Sequence, residues 1–154
     1  MNINSIINDQ LWKAVPGFPC YDAHPTGLIR NAITGKLLSL SLDHGGSLAD
    51  KGHCRYQRCN MRDANGKWKQ LNVHRVIAMT FIDIPAIEDE FNWAVDHIDH
   101  NTTNNDVRNL RWLPAKLNNV LHKHTRPEVA RQRVLEYYRA HDIDYDYFNL
   151  LSEI

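Results

Sequence analysis

Residues 95–112 read VDHIDHNTTNNDVRNLRW, a run that sets aspartates, two histidines and four asparagines between apolar anchors. Side chains of these types divide the work of hydrolysing a phosphodiester, which needs an activated water, relief of charge at the pentavalent phosphorus and stabilisation of the leaving alkoxide. A histidine titrating near neutrality serves as the base. A divalent cation serves the other two roles as a Lewis acid. A carboxylate and an amide oxygen suit Mg²⁺ or Mn²⁺, whose remaining positions fill with water and substrate phosphate. The competing reading is a polar loop in which Asp99 caps its own turn and His100, Asn101, Asn104 and Asn105 are ordinary loop residues.

The elements that must position this run lie on either side of it. FNWAVDHID alternates Phe91, Trp93 and Val95 inward as a strand, LRWL is the return strand, and Pro114 opens a helix to about His124 that carries Asn118. Adjacent strand residues point to opposite faces, so Asp96 and His97 share one site only if the strand twists or bulges there. VHRVIAMTF sets Val73, Val76, Ile77 and Thr80 at helical spacing, and Pro85 forbids continuation, which predicts a short buried helix. His74, at its start, reads equally as a packing or a DNA-facing residue.

Upstream, Pro16, Gly17, Pro19, Pro25, Gly27 and Gly35 break the chain into short apolar runs, the pattern of small antiparallel strands. HCRYQRCNMR, the turn DANG and KWKQLNV predict a hairpin, with Asn65-Gly66 supplying the positive backbone angles of a tight turn. On its first strand Arg55, Gln57 and Cys59 face away from Tyr56, Arg58 and Asn60, so neither face is purely apolar and one is left for solvent or ligand. The tail predicts a helix through Val129, Val134, Leu135 and Tyr138, a turn around AHDIDYD, and a second short helix with Leu150 and Leu151.

At 154 residues, 43% hydrophobic and 23% charged, with no apolar run of ~18 residues, the chain predicts no membrane-spanning helix. MNINSIINDQ lacks the basic and then apolar pattern of a secretory leader, which points to the cytoplasm. Cys20, Cys54 and Cys59 are odd in number and irregularly spaced, the mark of free thiols rather than of disulfides or a zinc cluster. The formal net charge of zero conceals segregation: residues 1–80 hold ten Lys/Arg against five Asp/Glu, and residues 81–125 hold four against seven. A basic front and an acidic rear fit a phosphate-contacting module joined to a cation-binding one.

In order and in spacing, Asp96, His97, Asp99, Asn101, Asn104, Asn105, Asn109, Leu110, Arg111, Trp112 and Asn118 resemble the HNH nuclease motif of ββα-metal fold, in the subgroup found in phage and intron homing endonucleases. VHRVIAMTFI resembles the segment that precedes this motif. Trp12, Lys13, Val15, Pro16, Gly17 and Phe18, followed by Tyr21, Gly27, Ile29, Arg30 and Asn31, resemble the small DNA-binding module often fused ahead of it. The resemblance implies Asp96 and Asn118 as ligands of Mg²⁺ (or Mn²⁺), His97 as general base, and Asn109 as the residue that fixes the histidine through the turn. Asn118 stands where the better-known form has histidine, an exchange that favours hard cations over zinc. Arg111 and Lys116 are expected at the DNA, and products should carry 5′-phosphate and 3′-hydroxyl ends.

The expected fold is α+β: a small antiparallel β module over 1–66, a ββα-metal nuclease core over 67–125 and a helical C-terminal extension over 126–154. The expected activity is divalent-metal-dependent cleavage of double-stranded DNA, by nicking or double-strand breakage, inside a phage-infected bacterial cell. The chain would act as a monomer or as a homodimer through its C-terminal helices, where Val134, Leu135, Tyr138, Phe148 and Leu150 either build a dimer interface or simply cap the core. Lys13, Arg30, Lys36, Arg55, Arg58, Lys67 and Lys69 would track the duplex, with the ribbon entering a groove. The alternatives are a DNA-binding protein that does not cut, and a packaging-associated nuclease active only with a partner.

Overall fold

Proline and glycine breaks leave room only for strands of two or three residues in the first part of the chain: β1 (Lys13–Ala14), β2 (Tyr21–Ala23) and β3 (Ile29–Asn31), an antiparallel sheet in that order. The computed structural model describes residues 9–43, 56–85, 93–124 and 127–142. A second antiparallel sheet joins β4 (Ser41–Leu42), β5 (Gln57–Arg62) and β6 (Trp68–Asn72). Strands β5 and β6 pair from Arg58↔Asn72 to Arg62↔Trp68, so the expected boundary after residue 66 falls within the turn of a closed hairpin. Gly66 takes the positive angle (φ 77°) and Asn65 does not. The turn is instead organised by Asp63, whose Oδ1 accepts the amides of Asn65 and Lys67, both at 2.9 Å.

Helix α1 (Val73–Phe81) follows β6 without a linker. Val73, Val76, Ile77 and Thr80 are all buried, as their spacing predicts, and Ala78 is buried with them. The helix stops at Ile82, which is extended (φ −120°), and the Trp112 indole donates to the Ile82 carbonyl at 3.0 Å. That bond satisfies a carbonyl at the helix end and ties α1 to the next unit.

Strands β7 (Trp93–His97) and β8 (Leu110–Pro114) pair antiparallel from Trp93↔Pro114 to His97↔Leu110, and helix α2 (Ala115–His124) packs back on both. Pro114 closes the strand rather than opening the helix, since it is still paired with Trp93. The expected alternation along β7 is lost at its end: Val95, Asp96 and His97 are all buried, because the strand is covered on both faces. Phe91 lies outside the described residues.

One apolar cluster runs from Val15, Tyr21, Ala23 and Ile29 through Cys59 and Met61 to Val76, Ile77, Leu110 and Trp112, so the front module and the strand–strand–helix unit share a core. A second cluster seats helix α3 (Pro127–Ala140), with Val134 and Tyr138 buried against Leu113 and the Tyr138 hydroxyl donating to the Trp112 carbonyl at 3.0 Å. Of the two roles open to the tail residues, Val134 and Tyr138 take that of capping the chain's own core. Phe148, Leu150 and the second tail helix fall outside the described residues. The α+β expectation holds, and no described helix is long and apolar enough to cross a membrane.

Candidate active site

The asparagine-rich run closes on itself through its side chains. The Asp99 Oδ1 accepts from the Asn101 amide at 2.8 Å and from Asn109 Nδ2 at 2.8 Å, while Asn104 Nδ2 donates to the other Asp99 oxygen at 2.7 Å. Asn109 also accepts the Asp99 amide through its Oδ1 (3.0 Å) and donates to the Asn104 carbonyl (2.9 Å). Burial pushes the Asp99 carboxyl up, but the hydrogen bonds from Asn104, Asn101 and Asn109 prevail and hold it below its usual range. Asp106 caps the 3-10 turn Val107–Asn109 by accepting the Arg108 amide. His100 reaches a positive φ of 61° to close the corner after His97.

This turn delivers Asn105 to His97. The Asn105 Oδ1 lies 3.1 Å from His97 Nε2, and its Nδ2 donates to Gln57 Oε1 at 2.7 Å. An amide oxygen only accepts, so Nε2 carries the proton and the lone pair of a neutral His97 is at Nδ1. Asn109, expected to fix the histidine, acts one step away: it holds Asp99 and Asn104, and Asn105 makes the contact. Asn105 is 4% exposed, and nothing in the sequence separates it from Asn104.

The front module reaches the same point. Gly27 sits at φ +91°, and a Cβ there would lie 3.0 Å from Asn105 Cβ and 3.1 Å from its carbonyl oxygen, while the Pro25 carbonyl accepts the Val107 amide at 2.7 Å. Gly27→Ala should destabilise the fold by roughly 1–3 kcal/mol through backbone strain and displace Asn105. Urea denaturation beside an activity assay checks both, and unchanged values would remove the brace from the account.

Beneath His97 lie two further rings. The His74 ring meets it edge-on at 5.0 Å, and Tyr56 stacks against His97 at 6.0 Å and meets His74 at a tilt at 4.7 Å. His74 is thus buried at the site rather than displayed on the surface. Burial, then the nearby His97, then Arg75 push its imidazole from the ordinary 6.5 down to about 3. Below pH 6.5 the unfolded chain takes up a proton that folded His74 refuses, so stability is lost as pH falls towards 3. The slope of ~1.4 kcal/mol per pH unit removes about 2 kcal/mol by pH 5. Urea midpoints at pH 7.5 and 5 should show this fall, and His74→Phe should flatten it.

Asp96 and Arg111 face each other across the β7–β8 ladder with no bulge between them and His97. The Arg111 Nε and Nη2 reach Asp96 Oδ2 at 2.7 and 2.6 Å, with the two side chains 11% and 2% exposed. Arg111, expected at the DNA, is instead half-buried on a carboxylate. Asn118 lies on α2 at a cavity of about 500 Å³, shared with Tyr56, Arg58, His74, Arg75 and Val95. Its Oδ1 is buried with no hydrogen-bond partner among the described residues. Among those residues no three His, Cys, Asp or Glu side chains gather to hold a metal, so a cation here would draw on amide oxygen as well.

Of the other residues expected at DNA, Lys13, Lys36, Lys67, Lys69 and Lys116 are exposed. Arg30 is half-buried, paired with Asp22 at 3.2 Å and laid over the Trp12 ring. Arg58 bonds Asp43 at 2.5 Å and Gln70 at 3.1 Å. Arg55 lies outside the described residues. Cys20 and Cys59 are free thiols, and burial pushes that of Cys59 up to about 11, which leaves it inert.

The HNH endonuclease family matches residues 72–120, from the last residue of β6 to the middle of α2. The uncharacterized HNH endonuclease L245 of Acanthamoeba polyphaga mimivirus is 34% identical over 145 residues, covering 93% of this chain and 38% of that protein. DNA endonuclease I-HmuI of Bacillus phage SP01 is 32% identical over 108 residues, 70% of this chain and 54% of its own length. The chain thus spans between about a third and a half of these relatives. In three dimensions it resembles the HNH homing endonuclease I-HmuI with a TM-score of 0.55 and 27% identity, over 81% of this chain and 66% of that one. Strand pair, asparagine turn and helix coincide with the matched span, so residues 72–120 carry the likeness to the HNH endonucleases.

Proposed function

We propose that this chain is a DNA endonuclease of the homing type, hydrolysing phosphodiester bonds of duplex DNA with Mg²⁺ or Mn²⁺. The observation that carries this reading is the chain Gln57–Asn105–His97, which sets the histidine in the tautomer of a base with its lone pair at Nδ1. In this role His97 takes a proton from the attacking water at Nδ1 and passes to an imidazolium that Tyr56 faces and Asn105 still accepts from. Asn109 and Asp99 keep the turn from relaxing as that charge appears.

The residues at hand fit a hard cation. Asn118 Oδ1 is an orphaned buried oxygen and Asp96 is a carboxylate, so these two would hold it. Arg111 would share Asp96 with the ion, which keeps that carboxylate from turning away. When bound, the cation supplies Lewis-acid stabilisation of the phosphate and of the departing 3′ oxygen. A single strand–strand–helix unit cuts one strand, so a monomer would nick.

The test is cleavage of supercoiled plasmid by the purified chain with Mg²⁺, Mn²⁺ or EDTA. Relaxed circles or linear DNA that require a cation support the reading and separate nicking from breakage. Salt-sensitive binding with no product under any cation would leave a DNA-binding protein that does not cut, the reading favoured by the Asp96–Arg111 pair if that pair does not open.

A further inference from the structure

Helix α1 begins in a way that its own electrostatics oppose. Its N-cap, Asn72, makes no side-chain capping bond, and its first turn carries no acidic residue. That turn carries His74 and Arg75 instead. A helix N-terminus is the positive end of the peptide dipole and leaves amide groups without helical partners, so a cation there is disfavoured unless an anion is bound. None of the ion pairs among the described residues uses Arg75, which is exposed. The end of the helix opens onto the cavity it shares with Asn118, whose lining includes Asn72, His74 and Arg75 and no carboxylate.

His74 gives a second and independent indication. It is 4% exposed, and its Nδ1 has no hydrogen-bond partner among the described residues. Phenylalanine would fill the same place against Tyr56 and His97 without stranding a polar atom, which is costly in a buried position. An imidazole at that point is explained when the occupant of the cavity completes its hydrogen bonds. Two residues of this cavity therefore hold a buried polar atom without a described partner, and they call for opposite chemistry. The Asn118 oxygen only accepts and suits a cation. A neutral imidazole carries one N–H, which together with the Arg75 guanidinium and the first amides of α1 suits an oxyanion.

We propose that the N-terminus of α1, with His74 and Arg75, is an anion site that holds one backbone phosphate of the DNA strand next to His97. The His74 and His97 rings lie 5.0 Å apart, so a phosphate bound here is anchored at the base itself rather than at a distant part of the surface. The same cavity offers Asn118 to the cation, and the two halves together present donors to the phosphate and an acceptor to the metal. The inference rests on the reading that this chain acts on DNA. It turns His74 from a packing residue beneath the base into a group that touches the substrate, and it gives Arg75 a partner.

The experiment is an NMR titration of the full, isotope-labelled chain in EDTA, where no cutting intervenes, followed at the backbone amides of His74 and Arg75. Three additions are compared: a mixed-sequence DNA duplex, inorganic phosphate, and chloride at matched ionic strength. Duplex should shift both amides, phosphate should shift the same amides, and chloride should leave them in place. Binding of the same duplex by the variants then separates the two side chains. Arg75→Ala should reduce the slope of log affinity against log salt by about one. His74→Phe should lower affinity by about tenfold at every salt concentration and leave the slope alone, because its donor is neutral. Amides that stay still in duplex overturn the proposal, and so does a shift with phosphate alone, which marks a free-anion site and not a contact to DNA. An unchanged slope in Arg75→Ala, or native affinity in a folded His74→Phe, overturns it as well. The titration uses the native chain, so a variant that fails to fold does not shield the proposal. A chain that passes this test but cleaves no plasmid loses the endonuclease reading and keeps the anion site, and one that cleaves with still amides does the reverse.

Discussion

His97→Ala is expected to lower plasmid cleavage by about 10²–10⁴-fold while leaving DNA affinity within a few-fold of native. The factor corresponds to roughly 3–5 kcal/mol of barrier, the share of a positioned general base. Affinity survives because the ring is 3% exposed and packed against Asn105, His74 and Tyr56, so it adds little area to a DNA contact. Asn105→Ala tests the same chain from its other end. Without the Oδ1 acceptor the tautomer is no longer set, and a smaller loss of about tenfold in kcat should follow with binding unchanged. Equal cleavage by native chain and His97→Ala would exclude this histidine as the base and move attention to the cavity rim.

Asp96→Ala should destabilise the fold by about 3–5 kcal/mol, because it strands the buried Arg111 guanidinium without its carboxylate. Replacing both partners by leucine should recover much of that loss, since the desolvation cost of both charges disappears with them. Asn118→Ala is the instructive contrast. Its Oδ1 has no partner among the described residues, so urea denaturation should show little change or a slight gain. Cation-dependent cleavage should nevertheless fall steeply in both variants if both supply oxygen to the ion. Activity lost in Asp96→Ala alone, in step with its stability, would mean that Asp96 is structural and that Asn118 holds no cation.

The different fates of these residues show what a linear reading can reach. Helix α1 was legible to the residue, because Val73, Val76, Ile77 and Thr80 follow a period that geometry must honour once that face is buried. The strand pair was legible because apolar anchors flank a turn of residues that bond their own backbone. Pro114 was misread by one position, since the rule that favours proline at a helix start does not exclude it from the end of an edge strand. The hairpin turn lies where Asn65-Gly66 predicts it and Gly66 takes the positive angle, while Asp63 supplies the side-chain bonds that organise it.

By itself the sequence determined the α+β layout, the position of the strand–turn–strand–helix unit and the identity of His97 and Asn118 as residues to test. The layout and the unit follow from local period and turn chemistry along one stretch of chain, which folding does not rearrange, and His97 and Asn118 follow from the resemblance of that stretch to the HNH motif. Only the tertiary structure decided that Asn105 and not Asn109 touches His97, that Gln57 stands behind it, that His74 and Tyr56 lie beneath it, and that Arg111 is held by Asp96. Each of those facts joins residues brought together by packing across different elements, and neighbouring asparagines or arginines differ only in which way the finished fold turns them.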